Sequence, residues 1–305
     1  MKIIVTGSGT SFGMPVIGCT CPACTSDDSR DTRFRPSIFV TDNAGENSTD
    51  ILVDVGPEFR LQALLYCIKR LDAVLMTHSH ADHCHGLDDL RIFSHTASAS
   101  AESRIGKETQ GEGLGIFANE TTLKDLRNRF SYIFTKTQIG GGKPKIALKS
   151  VEQYSGENPL KIGSICVIPI PMLHGMLQTS GFLLYSASAK NAQARKSIAY
   201  LTDCNKISDE SIEIIKKYGG IVEHAIIDGL RVKSHVTHCS FAESLGYAER
   251  ISPRNTWITH ICHDMKHTEI QAYIDEHLSD FPNLQNSVKQ GGTVSPAYDG
   301  LTLEF

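Results

Sequence analysis

The sequence contains Thr77-His78-Ser79-His80-Ala81-Asp82-His83 directly after an apolar run at residues 71–76. Four potential metal ligands fall within the last six residues of this stretch. The apolar run predicts a short buried strand, and alternate side chains of an extended chain point the same way, so the first two histidines leave the strand on one side. The aspartate and the third histidine follow in a turn and can reach a second position. This spacing predicts a site for two cations a few ångströms apart. The alternative is a histidine-rich surface loop, which is disfavoured because such crowded side chains need a metal to satisfy them.

Length and composition describe an ordinary soluble globular protein. The chain has 305 residues, 40% hydrophobic and 21% charged, with a formal net charge of -4. This charge argues against a generic polyphosphate-binding surface. Residues 1–5 lack the length and flanks of a signal peptide, and no apolar run approaches the length of a membrane span. We therefore expect a cytoplasmic protein, with the nucleus as a second location. The nine cysteines should be reduced and used for metal binding or packing.

Strands alternate with helices along most of the chain, which predicts an α/β fold. No linker divides the sequence, so we expect one domain over residues 1–305. Residues 97–115 are rich in Ser, Glu, Gly and Lys and have almost no apolar content. This composition predicts a flexible insertion, and a lid beside the site is one use for it.

Three further polar side chains follow predicted strands. His174 comes after the strand at residues 165–170, Asp203 after the strand at 197–201, and His260 after the strand at 255–259. Asp54 likewise ends a buried strand. It is expected either to orient a ligand histidine or to cap the next helix, and the sequence leaves both roles open.

Cys19, Cys21 and Cys24 place three thiols within six residues, which predicts a tetrahedral zinc site whose fourth ligand comes from elsewhere. Three packed thiols without a metal are the alternative. The segment Gly7-Ser8-Gly9-Thr10-Ser11 follows an opening strand. It is consistent with a phosphate-binding turn and, more readily, with a plain tight turn.

The pattern His-x-His-x-Asp-His resembles the signature of the metallo-β-lactamase superfamily. The resemblance implies an α/β fold of the four-layer αββα sandwich type, with a dinuclear metal site at one edge. It also implies a division of the ligands, in which Asp203 bridges the two metals. One metal would be held by His78, His80 and His174, and the other by Asp82, His83 and His260.

Other motifs resemble one branch of this superfamily, which contains the phosphoribosyl cyclic phosphate phosphodiesterase of the carbon–phosphorus lyase pathway. They are the Gly7–Ser11 turn, the cysteine loop and residues 86–91, 235–238, 259–263 and 298–300. The resemblance implies that His263 joins the three loop cysteines in a structural zinc site. It further implies that His238 stands at the active-site mouth as a general acid, with His235 assisting. Surface histidines are the alternative for both.

The sequence therefore predicts a dinuclear metal-dependent hydrolase, specifically a phosphodiesterase acting on a small cyclic or nucleotide-like phosphodiester. A metal-bridged hydroxide would attack phosphorus, and His238 would protonate the leaving oxygen. The expected cofactors are two catalytic divalent metals, Zn or Mn, and one structural Zn. We expect a small-molecule substrate and no membrane partner, with nucleic acid less favoured and a homodimer left open. The alternatives are a tRNA 3′-end-processing-type endonuclease, against which stands the lack of a basic, Gly/Pro-rich arm, and a thioester or lactone hydrolase on the same core.

Overall fold

A computed structural model describes residues 1–43, 48–94, 113–135, 142–189, 191 and 193–305. Within these ranges the strands form two mixed sheets. Each sheet has an antiparallel half and a parallel half, so the two halves of the chain build similar sheets.

The first sheet has the strand order β15-β1-β2-β3-β4-β5-β6. Its antiparallel half ends at β3, and β3 to β6 pair in parallel. Its strands are β1 (Lys2–Gly7), β2 (Ser37–Asp42), β3 (Thr49–Val53), β4 (Ala73–Leu75), β5 (Leu114–Ala118), β6 (Ile146–Ser150) and β15 (Thr302–Glu304).

The second sheet has the order β11-β8-β9-β10-β12-β13-β14, and β7 pairs with β8. The strands β10, β12, β13 and β14 are parallel. Its strands are β7 (Leu160–Ile162), β8 (Ile165–His174), β9 (Leu177–Ser186), β10 (Lys196–Leu201), β11 (Lys206–Ile207), β12 (Ile221–Asp228), β13 (Asn255–Thr259) and β14 (Thr293–Pro296).

Helices cover the outer face of each sheet. Their apolar sides pack on the sheets, whose inner faces meet in a central core that includes Val5, Val53, Phe182 and Ile226. The arrangement is an αββα sandwich, which confirms the predicted fold class. The helices are Phe59–Leu65, Ala81–Cys84, Glu120–Arg129, Ser131–Phe134, Asp209–Gly219, Phe241–Ile251, His267–His277 and Pro282–Lys289, with 3-10 turns at Ser29–Asp31, Leu87–Leu90 and Leu278–Asp280.

The parallel strands place the predicted site residues at one edge of the sandwich, because the carboxyl ends of parallel strands lie together. Asp54 follows β3, Asp203 lies two residues beyond β10, and His260 follows β13. All three adopt positive φ angles, of 62°, 53° and 64°. Such a backbone costs on the order of 1–3 kcal/mol for a residue with a Cβ, and strained residues of this kind concentrate at functional sites.

Some sequence predictions need correction. The expected insertion at 97–115 ends too late, because Leu114 and Gly115 already belong to β5, where they pair with Ile146 and Ala147. Residues 97–112 lie outside the described residues, and the lid stays a prediction. The strand predicted at 165–170 runs on to His174.

None of the helices within the described residues is long and apolar enough to cross a bilayer.

Candidate active site

The first group of potential ligands consists of His78, His80 and His174. One nitrogen of each ring lies within 4.8 Å of the other two. The ring centroids of His78 and His80 are 4.4 Å apart, and that of His174 lies 5.5 Å from the first and 5.1 Å from the second. His78 lies three residues beyond the end of β4 and is fully buried, whereas His80 is the most accessible of the three.

The second group contains Asp82, His83, Asp203 and His260, again with ligand atoms within 4.8 Å of one another. All four side chains are buried. Asp203 Oδ2 contacts Nε2 of His83 and lies 3.0 Å from Nε2 of His260. Its other oxygen, Oδ1, lies 3.7 Å from Nε2 of His174. Asp203 therefore faces both ligand groups, one oxygen to each.

Several buried ligand atoms in these groups make no hydrogen bond. They are His78 Nε2, His83 Nε2, His260 Nε2 and Asp203 Oδ2. An unsatisfied buried polar atom costs about 1–3 kcal/mol, so four that converge on one small volume indicate a further partner. Imidazole nitrogens with carboxylate oxygens are a donor set that divalent transition metals bind. The residues of both groups thus fit divalent cations.

Protons compete with cations for the second group. Burial lowers the pKa of His260, but the carboxylates of Asp203 and Asp82 outweigh it and raise the value to about 10. His83 responds in the same way, because Asp203, Asp82 and Asp54 overcome burial and hold its pKa well above the usual value. The excess of carboxylates here therefore attracts positive charge, whether protons or a metal.

The first group behaves in the opposite way. Burial lowers the pKa of His78 well below its ordinary value, and it also lowers the pKa of His80 and of His174. These three imidazoles are neutral near pH 7 and offer free nitrogen lone pairs, which is the form that binds a metal.

A chain of hydrogen bonds fixes which nitrogen each imidazole presents. His83 Nδ1 donates to Asp54 Oδ2 at 2.7 Å. Thr77 Oγ1 donates to the same oxygen at 2.9 Å and lies 3.0 Å from His78 Nδ1, from which it accepts. His174 Nδ1 donates to the carbonyl oxygen of Thr237 at 2.7 Å. In all three rings Nε2 is left for a ligand. Of the two roles left open for Asp54, the structure therefore supports orientation of a histidine.

His238 lies between the two groups. Its ring centroid is 4.6 Å from that of His174 and also 4.6 Å from that of His260, on which it stacks. Its side chain is 12% exposed and therefore borders solvent. His235 lies one ring further out, with its centroid 5.2 Å from that of His238 and its Nδ1 3.1 Å from Thr237 Oγ1.

Asp228 is a site residue that the sequence analysis missed. It is the last residue of β12 and fully buried. Its Oδ1 accepts a hydrogen bond from the Asp203 N–H at 3.0 Å, and its Oδ2 accepts one from the Cys239 N–H at 2.8 Å. Oδ1 also lies 3.4 Å from His238 Nδ1. A strand that ends in an aspartate, as in the run Ile221–Asp228, was the signal that could have found it.

The cysteine loop forms a separate group with His263. Its Nδ1 lies 3.3 Å from Cys19 Sγ and 3.5 Å from the Sγ atoms of Cys21 and Cys24. Ligands at zinc distances of about 2.1 and 2.3 Å in a tetrahedron are separated by roughly 3.6 Å, so the spacing fits a closed Cys₃His site. A hydrogen bond from the Cys24 N–H is the largest cause that lowers the pKa of the Cys21 thiol, to about 6.

The glycine-rich turn at Gly7–Ser11 does not offer its first amides to a phosphate. The N–H of Ser8 donates to Asp299 Oδ1, that of Gly9 to the Phe34 carbonyl, and that of Thr10 to the Ile261 carbonyl. The structure therefore agrees with the tight turn rather than the phosphate-binding alternative.

Comparison with known proteins decides the family. Residues 49–261 match the family model described as a beta-lactamase superfamily domain. The chain belongs to the metallo-β-lactamase superfamily. The matched segment spans every residue of the two ligand groups, and the fold implies divalent metals.

Relatives of similar sequence support the same placement. A solved structure described as a new diphosphatase from the PhnP family is 32% identical, covers 100% of this chain and 96% of its own, and superposes with a TM-score of 0.75. The Zn(2+)-bound PqqB from Methylobacterium extorquens, 17% identical with a TM-score of 0.65 over 100% of both chains, shares the fold. The predicted resemblance to this superfamily and branch is confirmed.

Among curated proteins, an octanoyltransferase from Porphyromonas gingivalis is 31% identical over 295 residues. This match covers 96% of the present chain and 52% of the relative. A coenzyme PQQ synthesis protein B from Methylobacterium radiotolerans is 30% identical over 30% of this chain and 34% of its own. The chain thus spans about half the length, or less, of the curated relatives it matches.

Proposed function

We propose that this member of the metallo-β-lactamase superfamily is a phosphodiesterase that hydrolyses a small cyclic or nucleotide-like phosphodiester. The observation that carries this proposal is the position of His238. It is in contact with a histidine from each ligand group and is backed by the buried carboxylate of Asp228. A sugar alkoxide is a poor leaving group and needs a proton as the P–O bond breaks. A histidine in this position can supply it.

In this proposal one cation would be held by His78, His80 and His174, and a second by Asp82, His83 and His260. Asp203 would be a ligand of both cations. Divalent cations bound there would stabilise the charge of the phosphoryl oxygens and provide an activated water as nucleophile. The protein's own contribution is orientation. Asp54 and Thr77 fix the rings of His83 and His78. Asp228 holds the backbone of Asp203 and of the segment that carries His238. Zn or Mn is proposed for the catalytic cations and Zn for the Cys₃His group.

Hydrolysis of a diphosphate bond is a second candidate, favoured by the full-length similarity to the PhnP-family diphosphatase. Both reactions are attacks of water on phosphorus in the same kind of metal site. They differ in the leaving group, because a phosphate monoester departs with less need of a proton than an alkoxide does. We do not propose acyl transfer from the similarity to the octanoyltransferase, since that relative contains about as much unmatched sequence as matched sequence. The likeness to human tRNase Z, short form, at 13% identity shows the fold alone.

Activity screening of the purified protein, reconstituted with Zn²⁺ or Mn²⁺, tests the proposal. The panel contains cyclic nucleotides, cyclic ribose phosphates, a dinucleoside diphosphate, a thioester and a short RNA. We expect turnover of at least one of the small phosphodiesters and none by the Asp203→Asn variant. Turnover of the thioester alone, or of the RNA alone, would contradict the proposal. The mass of the same protein in solution tests whether two copies of the chain form a homodimer, which the sequence left open.

A further inference from the structure

Three apolar side chains stand exposed on loops that carry or contact active-site residues. Met176 is 97% exposed, Val236 is 80% exposed and Phe12 is 68% exposed. Single exposed apolar residues are common, but several of them beside one polar site indicate a surface that another molecule covers. We call Phe12, Met176 and Val236 the apolar rim.

Met176 is placed by the backbone of the site itself. It occupies the tip of the hairpin between β8 and β9, two residues after His174, which pairs with Leu177. Gly175 forms the rest of the tip with φ at +63°, and a Cβ there would lie 3.0 Å from the Thr237 side chain. Glycine thus allows the hairpin tip to approach the loop that carries His235 and His238.

Val236 is held against the same hairpin. Asn205, two residues beyond Asp203, accepts a hydrogen bond from the Gly175 N–H at 2.8 Å and donates one to the Val236 carbonyl at 3.1 Å. The neighbouring Thr237 carbonyl accepts from His174 Nδ1. The loops of Met176 and Val236 are therefore fixed to each other through groups that also position ligand and acid histidines.

Phe12 is tied to the site through backbone hydrogen bonds. It belongs to a turn closed by a hydrogen bond from the Gly13 N–H to the Thr10 carbonyl. The Thr10 N–H donates to the carbonyl of Ile261, the residue after His260. His260 stacks on His238, and His238 lies beside His174, so the loops that carry the rim residues are all tied to one row of imidazole rings.

We propose that the apolar rim binds the base of a nucleotide-like substrate while its phosphate lies over the metal-ligand groups. The occupant is a flat ring attached to a phosphoester, because the rim offers apolar contact area on loops tied to the ligand groups, and those groups would accept a phosphate with their cations bound. This inference rests on the proposed function and narrows it, since a sugar phosphate without a base would leave the rim uncovered.

Calorimetric titration of the holoprotein with adenosine 5′-monophosphate and with ribose 5-phosphate tests the inference without turnover. Burial of apolar area against a base predicts that the nucleotide binds about tenfold more tightly. The double variant Met176→Ser/Val236→Ser should lose this preference and keep its affinity for ribose 5-phosphate. Ile221→Ser is the matched control, because Ile221 is 47% exposed at the other end of the strand that ends in Asp228.

Equal affinity of the wild-type protein for the two ligands, or a preference that survives the double substitution, would overturn the inference. If the double variant keeps the preference but converts a wild-type dimer into monomers in sedimentation, the rim joins two copies of the chain and the inference is wrong. A clear base preference in a protein that cleaves no phosphodiester would instead leave the rim assignment standing and remove the proposed function.

Discussion

Asp228 Oδ1 lies 3.4 Å from His238 Nδ1, inside a site where the aspartate is fully buried and the histidine borders solvent. The same carboxylate accepts hydrogen bonds from the backbone N–H groups of Asp203 and Cys239. One buried carboxyl group therefore holds the backbone of Asp203 and of the segment that carries His238. Buried carboxylates of this kind orient histidines and fix which ring nitrogen faces the substrate.

Asp228→Asn should lower kcat on a phosphodiester with an alkoxide leaving group by about ten- to a hundredfold. The amide can replace only one of the two accepting oxygens of the carboxyl group. Metal content, measured by elemental analysis, should stay at the wild-type level. Asp54→Asn is the contrasting variant, because Asp54 contacts the ligand His83 and its loss should reduce metal content first. Unchanged turnover in Asp228→Asn would remove the positioning role.

His238→Ala should affect substrates according to their leaving groups. General acid catalysis is typically worth about a hundred- to ten-thousand-fold, so the loss should be of that size on a cyclic ribose phosphate. A nitrophenolate leaves without a proton, and bis-nitrophenyl phosphate should therefore lose little activity. Steady-state kinetics of both substrates provide the measurement. His235→Ala is the control, because it removes a neighbouring histidine and keeps His238. Equal losses on the two substrates, carried mainly by KM, would indicate a binding role instead.

Cys21→Ser should act on stability rather than on the chemical step. A closed site of three thiolates and an imidazole contributes its metal-binding energy to folding, so loss of one thiolate should lower the melting temperature. Wild-type protein treated briefly with a chelator should keep one metal per chain while activity disappears. Asp203→Asn should keep that resistant metal as well. Retention of no metal by a folded wild-type protein would show that the cysteine group is not a metal site.

Two buried histidines should make the protein less stable in acid. Burial lowers the pKa of both His224 and His267 to about 4, and each Nδ1 faces a donor, Trp257 Nε1 for the first and Arg33 Nη2 for the second. The unfolded value is about 6.5, so the stability each neutral ring contributes is complete above that pH and is lost as the pH falls towards 4.

Between pH 7 and pH 4.5 this loss should be on the order of 2 kcal/mol for each histidine. His224→Gln keeps an acceptor for Trp257 but does not titrate. Its free energy of unfolding, from urea titrations at both pH values, should therefore fall less than that of the wild-type protein. An equal fall in both proteins would show that His224 has the same pKa in the native and the unfolded state, which contradicts the prediction.

The sequence determined the ligand types and most of their positions. The histidine-rich motif after β4, and single polar residues after β10 and β13, are local patterns, because a buried strand and its carboxyl end can be recognised from neighbouring residues alone. The four-layer fold followed from the family resemblance. The limits of the strands did not follow from the sequence. Pro169 and Pro171 read as a break, but β8 passes through both. It can do so because, among the described residues, β7 and β11 leave that part of its edge unpaired, and no N–H is needed there.

Only the tertiary structure decided which residues meet. His263 reaches Cys19 across 244 positions, and Asp228 reaches His238 and Asp203 from a strand that carried no recognised motif. Asp54 was equally compatible with a helix cap until its carboxylate was seen 2.7 Å from His83. The exposure of Met176 and Val236 likewise depends on how two loops are joined through Asn205. Local sequence cannot encode such relations, because they depend on how the two sheets pack and bring distant strand ends to one edge.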